Sequence, residues 1–409
     1  MNIFINKNLI PVDNQQYEIV ERKGLGHPDT VADGIAESIS IDYSKYCLDK
    51  FSVVLHHNVD KILIIGGLCE VDYGRGELKK PIKLILNGRM SKCFGNKKID
   101  IEEIQITSAK KYLQKVLPQL DIDKWLKIHS FVSSNSRIPF WFSPRSLDDL
   151  PDFKNPHAND TSTMVGFWPL STTEKLVLEA ERFFYNSNLI PRFNFVEQDI
   201  KIMAVRKYKN LVLIICIPFF AKKIQSHSIY EEKLKFIKEE LLNYLKNKFG
   251  DSLNIELWLN TQDQKVKDKT TAKGHYFVVT GSALDYGEEG VAGRGNRAWG
   301  FTSSTRPYSI ESIHGKNPVY HVGKIYSYIA NNIAKEIATQ LECEATVIIT
   351  TRNGDPLYSP YSIVVDTSKK RGRKEIQQII SKKLENRNWT REIIINGIFL
   401  PINDLNYER

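Results

Sequence analysis

The chain has 409 residues, 42% of them hydrophobic, and 57 basic side chains against 48 acidic ones, which gives a net charge of +9. This composition excludes a disordered chain and predicts an ordered protein of two or three domains. The first residues lack a basic segment followed by a long apolar core, and the longest apolar stretch, residues 211–221, is too short to span a bilayer. We therefore expect no secretory signal and no membrane association.

Cysteine spacing and charge distribution further narrow the class of protein to which the chain can belong. The five cysteines show no paired metal-binding spacing, which favours reduced thiols in a cytoplasmic protein. The densest basic run, residues 369–374, contains no aromatic side chains for stacking on bases. A solvated basic loop explains this run better than a nucleic-acid site.

Hydrophobic periodicity predicts alternating strands and helices. Helices are predicted from a capping box at Ser171 and Glu174, over residues 230–248 with an end at Gly250, and after Pro318. Strands are predicted at residues 61–66, 81–86, 200–205, 211–218, 253–259, 275–280, 345–351 and 393–400. Pairs of strands and helices recur in residues 1–140, 141–265 and 266–409. The pattern predicts an α+β fold of three similar sheet-plus-helix domains, with approximate boundaries and strands free to interleave.

The first motif is Glu21-Arg-Lys-Gly-Leu-Gly-His27-Pro-Asp29-Thr-Val-Ala-Asp33-Gly. A helix that begins here would point free N–H groups at a bound phosphate, and the Asp29 carboxylate could hold a divalent cation. The structural alternative is a capped helix with Asp29 as N-cap and His27 as a turn residue. Spacing alone weighs both interpretations about equally.

The second motif follows the strand predicted at residues 275–280 and runs through Gly287-Glu288-Glu289-Gly290 to Gly293-Arg294-Gly295-Asn296-Arg297. Dense glycines let a backbone fold closely around a ligand, and paired acids with paired arginines fit a magnesium-bridged polyphosphate. The segment matches neither a Walker motif nor the Rossmann fingerprint. A glycine-rich surface loop is the alternative.

Further candidate residues come from shorter segments. In His314-Gly-Lys316-Asn-Pro318, a turn could present Lys316 to an anion, and His321 and Lys324 would face the same way on the following helix. Solvent-facing side chains are the alternative for this segment.

Two acidic residues, Asp160 and Asp199, complete the set of candidate site residues. Asn159 and Asp160 precede an aromatic segment able to stack on a purine. Asp199, Lys201 and Met203 would share one face of a strand, and an acid beside a lysine suits a core poorly.

Taken together, these motifs resemble those of the archaeal-type S-adenosylmethionine synthetases, also called methionine adenosyltransferases. The motifs occur in family order from residue 21 to about residue 340, and they include Asp33-Gly-Ile-Ala-Glu, His56-His-Asn-Val-Asp60 and Asp199-Ile-Lys-Ile-Met. The resemblance implies three similar domains around a pseudo-threefold axis. It also implies a homodimer with active sites between subunits, with assembly into tetramers left open.

The resemblance implies ATP and L-methionine as substrates and Mg²⁺ as cofactor, with K⁺ as a further candidate. In this family the methionine sulfur attacks C5′ of ATP and expels triphosphate, which is then cleaved to phosphate and pyrophosphate. The implied catalytic residues are His27, Lys201, Arg294 and Lys316. The implied ATP and phosphate ligands are Glu21, Asp60, Gly293, Asn296, Arg297, His321 and Lys324. Asn159, Asp160 and Asp199 would approach methionine and adenosine, and Asp29 and Glu288 would bind magnesium.

Three departures from the family pattern lie near this site. The usual Gly-x-Gly-Ser-x-Asp turn corresponds to Ser133-Ser-Asn-Ser-Arg-Ile138, Gly-Asp-Asp-Gly becomes Gly287-Glu-Glu-Gly290, and Tyr320 replaces an asparagine. We therefore weigh three functions: methionine adenosyltransferase, an adenosyltransferase for another thioether or nucleophile, and a catalytically impaired nucleotide-binding regulatory subunit.

Overall fold

The computed structural model describes residues 1–185, 190–369 and 372–405. The α-helices of these residues are α1 (Pro28–Phe51), α2 (Ile101–Val116), α3 (Ile122–Trp125), α4 (Pro151–Lys154), α5 (Thr172–Arg182), α6 (His227–Phe249), α7 (Val322–Leu341), α8 (Arg373–Glu385) and α9 (Trp389–Asn396). The strands are β1 (Asn2–Asn6), β2 (Tyr17–Lys23), β3 (His57–Asn58), β4 (Leu63–Ile65), β5 (Leu68–Asp72), β6 (Arg75–Lys80), β7 (Ile82–Leu86), β8 (Arg89–Met90), β9 (Cys93–Phe94), β10 (Lys97–Lys98), β11 (Leu126–Ser130), β12 (Thr163–Trp168), β13 (Lys201–Lys207), β14 (Asn210–Cys216), β15 (Phe219–Phe220), β16 (Asn254–Leu259), β17 (Phe277–Val278), β18 (Glu289–Val291), β19 (Thr302–Ser303), β20 (Ala345–Thr350) and β21 (Ser362–Thr367).

Three larger sheets share one pairing pattern. Sheet 1 has the order β11-β7-β4-β18, sheet 2 has β16-β14-β13-β2-β19, and sheet 3 has β1-β21-β20-β12. In each sheet the first pair is parallel and the next two pairs are antiparallel. The mixed α+β class is confirmed, while the arrangement around a pseudo-threefold axis stays a prediction.

The strands of each sheet come from distant parts of the sequence. The N-terminal strand β1 pairs with β21 in sheet 3, and β18 from the glycine-rich second motif is an edge strand of sheet 1. β2, which leads into the first motif, lies beside β13 in sheet 2. This interleaving brings motifs separated by more than 150 residues next to one another.

Each sheet packs against its own helices around a separate hydrophobic core. Helices α1 and α2 cover sheet 1 around Ile64 and Leu84, and α5 and α6 cover sheet 2 around Leu213. Helices α7 and α8 cover sheet 3 around Ile349 and Val365. Fully buried aliphatic side chains on the helix-facing side of a strand give each unit its own driving force for folding.

The predicted elements are largely confirmed, with one error of type. The strand predicted at residues 393–400 is wrong, because the segment forms the end of α9 and a following turn. Trp389 and Ile393 are both buried on one helical face, so the apolar run has helical spacing. A short apolar run cannot be assigned by periodicity alone. The strand predicted at residues 275–280 is shorter, covering Phe277–Val278.

The basic run at residues 369–374 lies partly outside the described residues, since residues 370 and 371 are not among them. Its described end belongs to α8, which begins at Arg373. In the described part of the chain, no helix is long and apolar enough to cross a membrane.

Candidate active site

A glycine turn places His27 at the start of α1. The Gly24 N–H donates to the Ile200 carbonyl at 2.7 Å, and the Gly26 N–H donates to the Gln198 carbonyl at 2.9 Å. A Cβ atom on Gly24 would lie 2.3 Å from the Ile200 carbonyl oxygen, so a larger residue would push the two segments apart. The turn is thereby fixed against the segment that leads into β13.

His27 itself caps the helix. Its Nδ1 accepts a hydrogen bond from the Asp29 N–H at 3.2 Å, so the structural alternative with Asp29 as N-cap is wrong. Burial, helped by the Lys23 and Lys201 ammonium groups and opposed by Asp29, lowers the pKa of His27 to about 4. The imidazole is therefore neutral near pH 7, and because Nδ1 accepts, Nε2 carries the proton as a donor.

The first cavity, which we call the His27 cavity, has a volume of about 770 Å³. Its lining includes His27, Asp199, Lys201 and Glu288, so four predicted site residues come together in it. The Lys201 ammonium lies 3.3 Å from the Glu21 carboxylate on the neighbouring strand β2. The prediction that Asp199 and Lys201 share one face of a strand is wrong, because β13 begins at Lys201 and the acid that contacts Lys201 is Glu21.

Asp199 is buried and already engaged with backbone. Its Oδ2 accepts from the Ala283 N–H at 2.8 Å, and the Ser282 hydroxyl lies 3.4 Å away. Burial raises the pKa of Asp199 to about 7. The carboxyl group secures the turn after β17, and its contact with methionine or adenosine stays a prediction.

The two predicted metal ligands sit in different environments. The Asp29 Oδ1 accepts from the Val291 N–H at 3.1 Å, and its Oδ2 pairs with the Lys23 ammonium at 2.8 Å. Burial and the Glu289 carboxylate raise the pKa of Glu288. Sequence reasoning did not single out Lys23, although it belongs to the first motif.

The second cavity, which we call the Lys316 cavity, has a volume of about 550 Å³. Its lining contains Asp60, Gly293, Arg294, Arg297, Glu311 and Lys316. The buried Lys316 ammonium lies 3.3 Å from Asp60 and also pairs with Glu311. Although burial opposes the effect, the ammonium groups of Lys316 and Lys61 lower the pKa of Asp60. No motif or periodic pattern pointed to Glu311.

One chain segment, residues 288–294, contributes to the lining of both the His27 cavity and the Lys316 cavity. Glu288 lies at the first cavity, while Gly293 and Arg294 lie at the second. The Lys23 ammonium donates to both Asp29 and the Arg294 carbonyl, at 2.8 and 2.6 Å. The cationic groups at the two cavities are thus held by a common framework.

His321 and Lys324 are both buried at the start of α7, and phosphate contact by them stays a prediction. His321 is the N-cap of α7, where its Nδ1 accepts from the Gly323 N–H at 3.2 Å, and its Nε2 lies 3.4 Å from the Lys316 ammonium. Lys324 is fully buried and donates to both carboxylate oxygens of Glu37 at 2.8 and 2.7 Å. In this arrangement the Lys324 ammonium is paired with the buried Glu37 carboxylate.

Other predicted ligands have structural contacts. Asn296 makes two hydrogen bonds to the backbone of Lys23, at 3.0 and 2.7 Å. The Asn159 side chain accepts from the Val322 N–H at 3.0 Å, and Asp160 is exposed and lines none of the cavities described here. These residues shape the surroundings, and direct ligand contact by them stays a prediction.

A third cavity, which we call the Trp141 cavity, has a volume of about 690 Å³. Two of the departures from the family pattern meet here, since Asn135, Ile138 and Tyr320 all line it. Trp141 stacks on His56 with ring centroids 3.7 Å apart, and Asn159 also lies in the lining. Two of the three departures therefore converge on this cavity, while Glu288 of the third lines the His27 cavity.

Comparisons with known proteins agree with this arrangement. Residues 1–398 match the family model of S-adenosylmethionine synthetase (AdoMet synthetase). The S-adenosylmethionine synthase of Methanosphaera stadtmanae is 34% identical, over 95% of this chain and 96% of the relative. That of Methanocaldococcus jannaschii is 35% identical, over 97% and 98%.

A further relative, an uncharacterized protein of Streptococcus pyogenes serotype M1, is 37% identical over 97% of both chains. Similarity across nearly the whole length, with predicted site residues lining the His27 and Lys316 cavities, leads to one conclusion. The chain belongs to the archaeal-type S-adenosylmethionine synthetase family.

Proposed function

We propose that this protein forms S-adenosylmethionine from ATP and L-methionine. The observation that carries the proposal is the set of donors that line two cavities. Neutral His27 and Lys201 line the His27 cavity, and Arg294 and Lys316 line the Lys316 cavity. Cationic and N–H donors of this kind suit a polyphosphate that gains charge as it leaves.

The reaction needs little from the protein beyond charge stabilisation and alignment. The thioether sulfur of methionine forms a bond to C5′ with its own lone pair, and the C5′–O bond breaks with its electrons passing to triphosphate. No proton has to be removed from the nucleophile, so no general base is required. The triphosphate is then hydrolysed to phosphate and pyrophosphate. His27, Lys201, Arg294 and Lys316 would stabilise the departing oxygens.

The described residues fit magnesium that is shared with a polyphosphate. They contain no group of three or more His, Cys, Asp or Glu side chains that could hold a metal without other ligands. Mg²⁺ usually keeps waters and takes one or two carboxylates together with substrate phosphates. Asp29 and Glu288 would be those carboxylates, and the ion would neutralise triphosphate charge. A potassium requirement and a cytoplasmic location stay predictions.

A second copy of the chain would complete the site. The face of sheet 2 away from its helices carries the cross-strand rows Ile19-Val205-Val212 and Met203-Ile214-Trp258. Ile19 and Trp258 are 39% and 49% exposed, and Lys201 and Glu21 lie on the same face beside the His27 cavity. An exposed apolar face of this extent is typical of a subunit interface. We propose that each subunit has three units around a pseudo-threefold axis and that two subunits form a homodimer. This face would place the partner subunit at the mouth of the His27 cavity.

The test is one incubation of the full chain with ATP, MgCl₂ and L-methionine, followed by mass spectrometry. We expect a sulfonium product of the mass of S-adenosylmethionine, with phosphate and pyrophosphate released in equal amounts. ATP binding without turnover, unchanged by His27→Ala, would support the regulatory subunit instead. Absence of sulfonium under every metal condition contradicts the proposal.

The Trp141 cavity favours a second candidate function, adenosyl transfer to another thioether. Asn135, Ile138 and Tyr320 stand at positions where the family pattern has other residues, and all three line this cavity. Competition among a panel of thioether amino acids decides between the candidates through kcat/KM. A wide preference for methionine supports the first proposal, and a preferred analogue supports the second.

A further inference from the structure

One face of helix α1 carries three carboxylates at intervals of four residues. Asp29, Asp33 and Glu37 therefore lie in a row along the helix. Each carboxylate accepts at least one hydrogen bond from a backbone N–H group within residues 291–315. Part of this segment lines the Lys316 cavity. Sequence reasoning assigned no role to Asp33 or Glu37.

Asp33 binds the loop that carries Arg294. Its two oxygens accept from the Gly293 N–H at 2.6 Å and from the Gly295 N–H at 3.1 Å. The N–H groups on both sides of Arg294 are thus fixed to one buried carboxylate. His314 lies 3.2 Å from the same carboxylate and balances its charge when protonated.

Glu37 binds the turn that carries Lys316. Its Oε2 accepts from the Gly315 N–H at 3.0 Å, directly before the lysine. The Lys324 ammonium neutralises Glu37 through contacts of 2.8 and 2.7 Å. This pairing gives Lys324 a role other than the phosphate contact implied by the resemblance.

The glycines of these loops permit close approach to α1. A Cβ atom on Gly295 would lie 2.1 Å from Asp33 Oδ2, and one on Gly290 would lie 2.0 Å from the Pro28 carbonyl oxygen. Gly315 has φ +74° and a Cβ there would lie 2.9 Å from Ala36 Cβ. The absence of a side chain at these glycines therefore lets the loop backbone contact α1, in addition to any approach to a ligand.

We propose that Asp33 and Glu37 are positioning residues that hold Arg294 and Lys316 in place for a polyphosphate. The inference rests on the proposed function for the identity of the anion. Donors that are fixed before the ligand arrives need no reorganisation when charge develops. Because Asp33 has His314 and Glu37 has Lys324 as a buried partner, neither carboxylate has to draw Arg294 or Lys316 away from the ligand.

The test measures binding of inorganic tripolyphosphate, with Mg²⁺, to the full chain by isothermal titration calorimetry. Asp33→Asn keeps the shape but turns one acceptor into an amide donor, so one loop N–H loses its partner. We expect Kd to rise about tenfold, which is about 1.4 kcal/mol. Hydrogen exchange of the peptide covering residues 291–297 should become faster, whereas peptides of sheet 3 should be unaffected.

Three further variants secure the result. Glu37→Gln should weaken tripolyphosphate binding in the same direction. Glu174→Gln is the matched control, because Glu174 is equally buried and accepts a hydrogen bond from the Ser171 N–H. It pairs with Arg306, and neither residue lines the His27 or the Lys316 cavity. Gly295→Ala keeps both acidic residues but forces the loop and the Asp33 carboxylate apart, so it should also raise Kd even if an α1 variant fails to fold.

Unchanged Kd in Gly295→Ala, or an equal loss in Glu174→Gln, overturns the proposal, as does a wild-type chain that binds no tripolyphosphate. A wild-type chain that binds tripolyphosphate but forms no sulfonium would overturn only the proposed function, because the binding measurement does not depend on turnover.

Discussion

The two ring nitrogens of His27 have separate tasks, because Nδ1 accepts from the Asp29 N–H and Nε2 carries the proton. The helix cap and the proposed phosphate donor are thus one side chain. The capped-helix interpretation named the wrong capping residue, and the phosphate contact of His27 stays a prediction. Asparagine can also cap a helix but has no group in the position of Nε2.

We expect His27→Asn to lower kcat by about a hundredfold to a thousandfold, as for loss of one preorganised donor. The free energy of unfolding should change little, since the cap is kept. His27→Ala should lose the same activity and about 1 kcal/mol of stability in addition. Steady-state kinetics and urea unfolding of both variants check the prediction, and full activity of His27→Asn would contradict it.

Lys316 should act on the leaving triphosphate more than on methionine. We expect Lys316→Met to lower kcat by about a hundredfold or more with little change in the KM for methionine. Lys61→Met is the matched control, because Lys61 also pairs with Asp60 at 2.6 Å but its side chain is 66% exposed. A rise in the KM for methionine with unchanged kcat would contradict the assignment.

The carboxyl group of Asp199 should give stability a defined pH dependence. Burial raises its pKa from an ordinary 3.8 to about 7, so the folded state binds the proton more tightly than the unfolded state. This stabilisation is complete below the unfolded pKa and is lost as the pH rises through about 7. Asn has no such titration.

We therefore expect the stability of Asp199→Asn, relative to the wild type, to improve steadily as the pH rises from about 4 to about 8. Thermal unfolding over this range measures the difference. Asp160→Asn is the control, since Asp160 is exposed. A difference that stays constant or falls with pH would show that Asp199 does not titrate in this way.

At the scale of the element, α5 shows how local sequence and distant partners combine. Ser171 Oγ accepts from the Glu174 N–H at 3.0 Å, and the Glu174 carboxylate accepts from the Ser171 N–H at 2.7 Å. The predicted capping box is confirmed. The Ser171 hydroxyl also donates to Glu18 of β2, a contact that the local pattern did not indicate.

We expect Ser171→Ala to lower the free energy of unfolding by about 1–2 kcal/mol, the upper range for a lost cap, because a buried carboxylate loses a donor as well. Ser226→Ala is the comparison, since Ser226 caps α6 through one bond of 3.3 Å to the Ile229 N–H. Equal losses in urea unfolding would show that the Glu18 contact contributes nothing.

At the scale of the whole molecule, the three sheets bury one face each against helices, but sheet 2 leaves an apolar face uncovered in the single chain. Ile214 pairs with Met203 and Trp258 near the centre of this face. A charged residue there would have to be desolvated if a second copy covered it.

We expect Ile214→Glu to convert a dimer into monomers and to remove activity together with dimerisation. Size-exclusion chromatography with light scattering measures the mass. Ile395→Glu is the control, because Ile395 is 59% exposed on α9 and lies outside sheet 2. A wild-type monomer with full activity, or a dimeric Ile214→Glu, would contradict the proposed interface.

The sequence by itself determined the features that depend on neighbours along the chain. The capping box at Ser171, the helices α6 and α7 and most strands follow from local spacing, because a few adjacent residues decide them. Co-linear motifs also identified the family. The apolar run at residues 393–400 was misassigned, since its helical burial depends on packing against sheet 3 and α7.

Only the tertiary structure decided which charged groups line a cavity and which pair with one another inside the protein. Lys324 pairs with Glu37 although 287 residues separate them, and Glu311 joins Lys316 without any motif. A buried charge is stable only beside a partner, and the partner comes from whichever segment the fold brings near. The separation of the predicted residues into the His27 and Lys316 cavities has the same cause, because interleaved strands place each motif beside partners that its own sequence does not specify.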